Sequence, residues 1–248
     1  MTYLEGTIRN GDLKTILNAV TVLVDEARVL FENDEVAIRG TDPAGVCVVQ
    51  ITISEDAFEN PEIRQASMCL DFTELTNMVN TADADADVHI QVDEHDMEID
   101  VLDLDFSLTL INPEALDSDQ AIPDLDLPAE VVISSSAFKR GIKAGNLVAE
   151  HIEFGISETD PAFYMRARGD SNEVVMEKKE EDLGALTAGS VSSTYSLDYL
   201  TEIRGSIPTD TNIGINLWDD HPAEISFDLV DGDATVTYFL APRIEPDS

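Results

Sequence analysis

Residues 13–19 read LKTILNA, and residues 138–144 read FKRGIKA. In both stretches apolar side chains recur three or four positions apart around a shared lysine, which is the spacing of one face of an amphipathic helix. The two stretches are offset by 125 residues (13 to 138), about half of the 248-residue chain. A second match, between LDF at 70–72 and LDY at 197–199, has an offset of 127. Two matches at nearly one offset predict two copies of one domain.

Each copy is predicted to alternate helices with strands. The first helix covers the apolar repeat of residues 13–20, and Asp71 with Glu74 three residues later resembles a capping box that opens the second. Ser136 is predicted to cap the third helix, and Asp198 to open the fourth. The fold class is therefore α+β, with two similar domains that each hold sheets and two helices. The stretches that alternate like strands are 36–38, 46–53, 88–92, 97–110 and 225–240.

The join between the two copies is predicted at residues 113–128. This stretch contains three prolines and five acidic residues and has neither helical nor strand periodicity, as expected of a linker. The predicted organisation is a first domain at 1–112, a connecting loop at 113–128 and a second domain at 129–248.

The charge of the chain is its most unusual property. It has 51 Asp and Glu against 14 Lys and Arg, a formal net charge of −37, while 43% of its residues are hydrophobic, as in a globular protein. Such self-repulsion destabilises a compact state in dilute buffer. In molar salt the Debye length falls to about 3 Å, so most of the repulsion disappears. Acids scattered along the whole chain thus indicate a surface adapted to a very salty cytoplasm rather than an acidic interaction tail.

Nothing in the sequence predicts export or membrane insertion. The first residues lack a charged-then-apolar signal, and no apolar run approaches the roughly 20 residues of a membrane span. Cys47 and Cys69 lie in apolar stretches without C-x-x-C spacing, so reduced, buried thiols are expected. These features predict a cytoplasmic protein.

An acidic stretch in the first domain offers the best candidate for a metal site. Positions 1, 3, 5 and 12 of a calcium-binding EF-hand loop are occupied by Asp83, Asp85, Asp87 and Glu94. That loop requires glycine at position 6, where this chain has Val88, and residues 88–92 alternate like a strand. A solvated acidic turn is the favoured interpretation, and calcium binding is the alternative.

No catalytic motif is found elsewhere. Asp103 and Asp105 form a second acidic pair, which a half-exposed strand explains better than a two-metal site. No nucleophile elbow, H-E-x-x-H motif, phosphate-binding loop or dinucleotide fingerprint accompanies the four histidines, His89, His95, His151 and His221. The sequence therefore predicts a protein that is not an enzyme and has no metal or other cofactor.

Cations cluster where acids are missing. Residues 131–149 contain no Asp or Glu, although about one residue in five of the chain is acidic, and they hold three of its fourteen cations. An acidic protein that keeps acids off a helix is expected to present that helix to an anionic partner such as nucleic acid. A helix that is neutral by chance is the alternative. The cations of the four predicted helices are Lys14, Lys139, Arg140, Lys143 and Arg204.

Four stretches resemble corresponding stretches of one known family. YFLAPRIE at 238–245 resembles the C-terminal segment of that family, and Asp42 followed by VCVVQ at 46–50 resembles its first-domain strand. AIP at 121–123 resembles its connecting loop, and FKR at 138–140 its third helix. The family is proliferating cell nuclear antigen, the sliding clamps of archaea and eukaryotes. The resemblance spans the whole chain in order and agrees with the internal duplication.

This resemblance implies a non-enzymatic DNA sliding clamp, a processivity factor whose homotrimeric ring encircles duplex DNA. The implied partners are double-stranded DNA, further copies of the chain, and DNA polymerase, clamp loader, ligase and nuclease, which dock through short peptides during replication and repair. Helices of the family line the hole of the ring, where cations meet phosphates without reading bases. The implied DNA-facing residues are Lys14, Lys139, Arg140, Lys143 and Arg204.

The resemblance also implies a peptide pocket and a subunit interface. The implied pocket residues are Val46, Val48, Ile122, Pro123, Pro222, Phe239, Leu240, Ala241, Pro242 and Ile244. The interface would pair a strand near 101–109 with a strand near 172–178 of a neighbour, and its implied residues are Asp103, Asp105, Val174, Met176, Lys178 and Lys179. The chain departs from the family at Gly45 and Gln120, where bulky and leucine-like residues are usual, and its helices carry fewer cations.

Two other functions stay open at this point. A checkpoint-type clamp subunit of a heterotrimer would share the fold but lack a complete peptide pocket. An acidic metal-dependent hydrolase would show activity that depends on added metal ions.

Overall fold

The computed structural model describes residues 1–32, 34–113, 127–157, 161–187 and 189–243. Within them the chain forms four α-helices, α1 (Asn10–Thr21), α2 (Phe72–Val79), α3 (Ser135–Gly145) and α4 (Leu197–Ser206). The strands are β1 (Leu4–Arg9), β2 (Glu26–Phe31), β3 (Glu35–Thr41), β4 (Cys47–Ser54), β5 (Glu59–Ile63), β6 (Ala66–Asp71), β7 (Asp87–Val92), β8 (Asp96–Val101), β9 (Leu104–Thr109), β10 (Ala129–Ser134), β11 (His151–Ser157), β12 (Ala162–Arg168), β13 (Glu173–Lys179), β14 (Ala185–Leu186), β15 (Val191–Ser196), β16 (Asn212–Leu217), β17 (Ala223–Leu229) and β18 (Ala234–Leu240). The predicted α+β class is confirmed.

The chain divides into two compact units. Unit 1 comprises Met1–Ala121 and Asp228–Val236, and unit 2 comprises Ile122–Phe227 and Thr237–Ser248. The predicted connecting loop at 113–128 lies almost wholly outside the described residues, so its boundaries stay a prediction.

Unit 1 contains two antiparallel strand arrays and a pair of helices. One array has the order β5-β1-β7-β8-β9, and the other runs β4-β3-β2-β6. Helices α1 and α2 contact each other, and side chains such as Ile16, Leu17 and Phe72 are fully buried beneath them. Each buried side chain of this size contributes roughly 1.5–3 kcal/mol, so the apolar helix faces hold the layer in place.

Unit 2 repeats this plan around an aromatic core. Its arrays run β13-β12-β11-β15 and β14-β10-β16-β17, and α3 contacts α4. The ring centroid of Phe154 lies 6.1 Å from Phe138 of α3, 5.9 Å from Phe163 and 5.4 Å from Tyr195. These tilted and edge-on contacts, each worth about 0.5–1.5 kcal/mol beyond area burial, fix the position of α3 on its strands.

The internal repeat is confirmed, but one of its predicted alignments was wrong. Strands β1, β2, β6 and β7 precede β10, β11, β15 and β16 by 125 residues at their first positions, and so do the starts of α1 and α2 relative to α3 and α4. Phe72 is therefore equivalent to Leu197. The alignment of LDF at 70–72 with LDY at 197–199 is two residues out of register, because it matched short sequence rather than helix starts.

Details of helix and strand ends also differ from prediction. Asp71 does cap α2, since its carboxylate accepts a hydrogen bond from Glu74 N at 2.8 Å. The cap of α3 is Ser134, not Ser136, because Ser134 Oγ accepts from Ala137 N at 3.4 Å. The predicted single strand at 97–110 is a hairpin of β8 and β9 that turns at Leu102, whose φ is 57°.

Candidate nucleic-acid and partner surfaces

The helical layer of unit 1 presents a nearly uncharged polar surface. Asn18 of α1 is exposed and Thr15 is half-buried. Asp12 of α1 and Glu74 of α2 are the acids of the two helices, and Lys14 is their one cation. This layer therefore has little net charge to attract or repel a polyanion.

Lys14 is held by the end of the neighbouring helix. Its Nζ donates a hydrogen bond of 2.6 Å to Ala82 O, just beyond α2. Buried Asn10 donates from Nδ2 to Val79 O, Ala82 O and Asp83 O at 3.0, 3.1 and 3.0 Å. The last carbonyls of a helix lack intrahelical partners, and α2 has no basic residue in its own last turn. Asn10 thus satisfies the last carbonyl of α2 at Val79, and Lys14 binds the turn that follows the helix.

The helical layer of unit 2 carries exposed cations. Arg140 and Lys143 of α3 are exposed, and within the described parts of the chain neither makes a hydrogen bond or an ion pair. Lys139 is half-buried, and its Nζ donates to Ile207 O at the end of α4. The predicted cations of α3 therefore divide into one that is tied to the protein and two that face solvent.

Lys139 and Arg204 of α4 lie near each other. The pKa of Lys139 is lowered, first by burial, which disfavours the charged form, and second by the positive charge of Arg204. Of the predicted cations, the structure thus places Lys139 of α3 and Arg204 of α4 close enough for their charges to interact. Lys14 lies on α1, the helix of unit 1 that is equivalent to α3.

The segments that leave the last strand of each unit are held in the same way. Arg243 N donates to Thr194 O of β15 at 2.7 Å, and Ile111 N donates to Cys69 O of β6 at 2.9 Å. In unit 2 this bond fixes the segment that includes Ala241 and Pro242, both half-buried. The backbone after β18 is therefore positioned along β15.

A turn of unit 2 is anchored to the same strand. Tyr195 of β15 donates from its hydroxyl to His221 O at 3.0 Å, and the carboxylate of Asp219 accepts from Ser192 N at 2.7 Å. The turn holds Trp218, which is 40% exposed, and half-buried Pro222. Strand β15 thus carries both the turn with Pro222 and the segment with Pro242.

The predicted pocket residues other than Val46 and Val48 fall into three groups. Phe239 and Leu240 are buried in unit 2, so their side chains pack in the core and only their backbone atoms could contact a partner. Ala241, Pro242 and Pro222 stay partly accessible. Ile122, Pro123 and Ile244 lie outside the described residues, as does Gln120.

Val46 and Val48 belong to unit 1, where an aspartate shapes the preceding turn. The Asp42 carboxylate accepts from the backbone N–H groups of Ala44, Val46 and Cys47 at 3.0, 2.6 and 2.6 Å. Gly45 has a φ of 68°, a left-handed conformation that bulky residues avoid, and no atom lies within 4 Å of the place of a Cβ. Gly45, where the family usually has a bulky residue, therefore lies in a turn that the Asp42 carboxylate holds by three hydrogen bonds. The sequence did not assign Asp42 this role, although an Asp whose carboxylate can accept from backbone N–H groups a few residues later is the signal of such a turn.

Two edge strands carry the predicted interface residues. On β9 of unit 1, Asp105 is exposed, whereas Asp103 lies in the β8–β9 turn rather than on a strand as predicted. On β13 of unit 2, Val174 and Met176 are half-buried, and Lys178 Nζ lies 3.8 Å from Asp182 Oδ2 of its own chain. Lys179 is exposed at the end of β13.

The interface prediction missed the apolar residues that these edges expose. Leu102 and Leu104 in unit 1 are 74% and 38% exposed, and Val175 in unit 2 is 45% exposed. Strand alternation was the sequence signal that separates Val175 from the predicted interface residues, because Val175 points away from the face shared by Val174 and Met176.

Metal and membrane features are not found in the described ranges. No three His, Cys, Asp or Glu side chains there come close enough to hold a metal ion. Asp87 begins β7 and Val88 is buried, so the candidate calcium loop runs into a strand. No described helix is long and apolar enough to cross a membrane. Burial raises the pKa of the Cys47 thiol, with Asp42 adding to the effect, so this thiol stays protonated.

Comparison with protein families gives a match over both halves of the chain. Residues 3–120 match the model of the proliferating cell nuclear antigen N-terminal domain, and residues 121–243 match that of the C-terminal domain.

Similar proteins and structures agree with that match. The DNA polymerase sliding clamp of Natronomonas pharaonis is 37% identical over 237 residues, 95% of this chain and 96% of the relative. That of Halobacterium salinarum is 35% identical over 235 residues, 94% and 95% of the two chains. A solved structure of A. fulgidus PCNA bound to the C-terminal region of FEN-1 superimposes with a TM-score of 0.93 at 29% identity, covering 98% of this chain and all of the other.

Proposed function

Because the chain belongs to the proliferating cell nuclear antigen family, we propose that it is a DNA polymerase sliding clamp, a ring subunit that encircles duplex DNA and tethers replication and repair proteins. It is a non-enzymatic processivity factor. The observation that carries the proposal is the match of both family halves, in order, over residues 3–243. The protein works in a high-salt cytoplasm, associated with the nucleoid.

Duplex DNA meets the helical layer of unit 2. Arg140, Lys143 and Arg204 contact phosphates without reading bases, because a sliding protein must treat every sequence alike. Counterion release, the usual driving force for binding phosphates, contributes little in molar salt. Topology therefore replaces affinity: the closed ring holds DNA by surrounding it, and the lining needs only to avoid repulsion.

Partner peptides dock on unit 2 along the segment after β18. A partner backbone pairs with residues 241–244, and its apolar anchors rest beside Pro242 and Pro222. Ile122, Pro123, Val46 and Val48 stay in the proposed set on the family resemblance alone. The half-buried state of Ala241 and Pro242 and the bond from Arg243 N to Thr194 O support the placement, because they hold an accessible backbone in fixed position.

Copies of the chain assemble through the edge strands β9 and β13. Both edges have a side without a strand neighbour among the described residues, so β9 of one chain can extend the sheet of β13 in the next. Exposed Leu104 and Val175 add apolar burial, while Asp105 and Lys179 offer opposite charges. Three copies then close a homotrimeric ring.

Release by linearisation tests the encircling function. Rings loaded on closed circular duplex by a clamp loader should stay with the DNA during gel filtration in molar potassium chloride. Cutting the circle once should release them, because only the topology holds them. Retention on the cut DNA would instead indicate direct binding. Sedimentation of the pure protein tests the homotrimer separately. A mass of three times the 27.1 kDa of one chain indicates a homotrimer, and a smaller mass indicates a subunit that assembles only with other proteins.

A further inference from the structure

Two lysines at equivalent positions of the repeat make the same contact. Lys14 of α1 donates to Ala82 O, and Lys139 of α3 donates to Ile207 O. Donor and acceptor are 68 residues apart in both units. Both carbonyls lie just after the second helix of their unit, at α2 and α4 respectively. The repetition of one contact in two copies with different neighbouring residues indicates a common structural role.

We propose that Lys14 and Lys139 are positioning residues that tie the two helices of each layer together, and that they do not contact DNA phosphates. This inference rests on the proposed clamp function, and it assigns the phosphate contacts of α3 to Arg140 and Lys143. Each chain then meets DNA chiefly through unit 2.

The contact in unit 1 satisfies a helix end that has no other cation. The carbonyls at the C-terminus of α2 carry the negative end of the helix dipole. Lys14 brings a positive charge close to this end at Ala82 O, three residues beyond Val79, and the amide NH2 of Asn10 shares its two hydrogens among Val79 O, Ala82 O and Asp83 O. A lysine used in this way is directed at backbone oxygen, so its charge is not free to reach a phosphate.

The hydrogen bond from Lys139 to Ile207 O in unit 2 forms although two effects disfavour a charged lysine at this position. Burial and the charge of Arg204 both lower the pKa of Lys139. A lysine with a flexible stem would move its ammonium away from a like charge into water if nothing held it. The hydrogen bond to Ile207 O keeps the ammonium group of Lys139 in place. Lys143, one helical turn further along α3, is exposed instead.

Methionine variants distinguish a lysine that ties two helices together, by its hydrogen bond to a carbonyl, from a lysine that contacts phosphate. Lys14→Met and Lys139→Met remove the ammonium but keep an apolar stem, and Lys143→Met is the matched control on the same helix. In the tie variants the carbonyl 13C resonance of Ala82 or Ile207, respectively, should move upfield, and Tm should fall by about 2–5 °C. Lys143→Met should change neither.

The salt dependence of DNA association provides the second readout. Association of rings, crosslinked beforehand in molar salt to keep the trimer, with a linear duplex that a ring can thread from its end is measured between about 0.2 and 0.5 M potassium chloride, where counterion release still contributes to binding. Lys143→Met should reduce the logarithmic salt slope by about 1 per chain, since one phosphate contact is lost. The two tie variants should keep the parental slope.

Each outcome decides the inference. An unmoved Ile207 resonance in Lys139→Met, or a salt slope reduced as much as in Lys143→Met, would overturn it. If all three variants keep the parental slope, the proposed DNA face is wrong, while the carbonyl resonances and Tm still decide whether the ties exist.

Discussion

The helical layers of the two units share a scaffold and differ in charge. Both units place a lysine of the first helix on the carbonyl that follows the second helix. At the positions where unit 2 exposes Arg140 and Lys143, the 125-residue offset puts Thr15 and Asn18 in unit 1. The shared contact serves the fold, because it survives in both copies. The cations present in one copy serve a function that the fold does not require.

The same comparison extends to the segments that leave the last strand. Ile111 N and Arg243 N donate to equivalent carbonyls, Cys69 O and Thr194 O. The contact therefore belongs to the repeated plan of the two units, and the partner docking proposed for unit 2 would give it a second use there.

The largest expected effect concerns the edges of the two units. We expect the trimer to persist in molar salt and to dissociate completely in dilute buffer, because each chain brings a formal charge of −37 to the ring. Ion pairs between exposed residues such as Asp105 and Lys179 are worth only about 0–1 kcal/mol and cannot offset this repulsion. Sedimentation across a salt series measures the transition. A stable trimer at ~50 mM salt contradicts this account.

Truncation of the docking segment should have the next largest effect. Ile122→Ala with Pro242→Ala should weaken a partner peptide by about 1–3 kcal/mol, because apolar anchors lose their surface. Molar salt leaves apolar burial intact, so the loss should remain at high salt. Leu110→Ala, at the position in unit 1 equivalent to Pro242, is the matched control. Calorimetry of peptide binding tests this, and unchanged affinity in the double variant would show that the pocket is misplaced.

Reversal of charge on α3 should have a smaller effect on DNA synthesis. Arg140→Glu with Lys143→Glu should lower polymerase processivity on loaded rings about fivefold, because repulsion of roughly 1 kcal/mol is restored in the hole. Trimer mass and peptide affinity should not change. Thr15→Glu with Asn18→Glu places acids at the equivalent positions of unit 1 and should lower processivity less. Equal losses would mean that DNA meets both layers alike, and parental processivity in the α3 variant would show that α3 does not face DNA.

The smallest expected effect is a change in the titration of one lysine. The pKa of Lys139 lies below the ordinary lysine value because of burial and of Arg204, in that order. Arg204→Gln should therefore raise this pKa part of the way, making unit 2 resemble unit 1, where Val79 occupies the equivalent position. The 13Cε resonances of the five lysines report it directly. A titration midpoint that does not move would show that the charge of Arg204 does not act on Lys139.

The sign of the linked stability change follows from that shift. A lysine whose pKa is lower in the folded state binds its proton less readily there than in the unfolded chain. The unfolded state is therefore favoured by protonation, and stability should rise slightly as pH increases through the folded pKa of Lys139. Arg204→Gln should flatten this rise.

Periodicity and turn chemistry predicted much of the fold from sequence. The apolar spacing of residues 13–20 located α1, and Asp71 with Glu74 located the start of α2, because these signals are local. The α3 cap was misplaced within a run of three serines, where only the hydrogen bond distinguishes Ser134 from Ser136. The break at Leu102 was missed because leucine seldom adopts a positive φ.

The candidate surfaces were predicted less completely. A lack of acids identified α3, since charge can be counted along the sequence. The contacts of Lys14 and Lys139 with carbonyls 68 residues away could not be found in this way, because they depend on how two helices pack. Strand alternation separates Val175 from Val174 and Met176, but only the packing of β13 shows which of the two faces is exposed.

The turn before β17 gives the protein a built-in optical reporter. Trp218 is the one tryptophan of the 248 residues, it is 40% exposed, and it sits four residues before Pro222 in a turn fastened to β15. A tryptophan-free ligand that binds beside Pro222 in the same turn is expected to change the solvent around this indole, and no other indole of the chain contributes background emission. Docking of an unlabelled partner at any salt concentration can thus be followed by the intrinsic fluorescence of the chain itself.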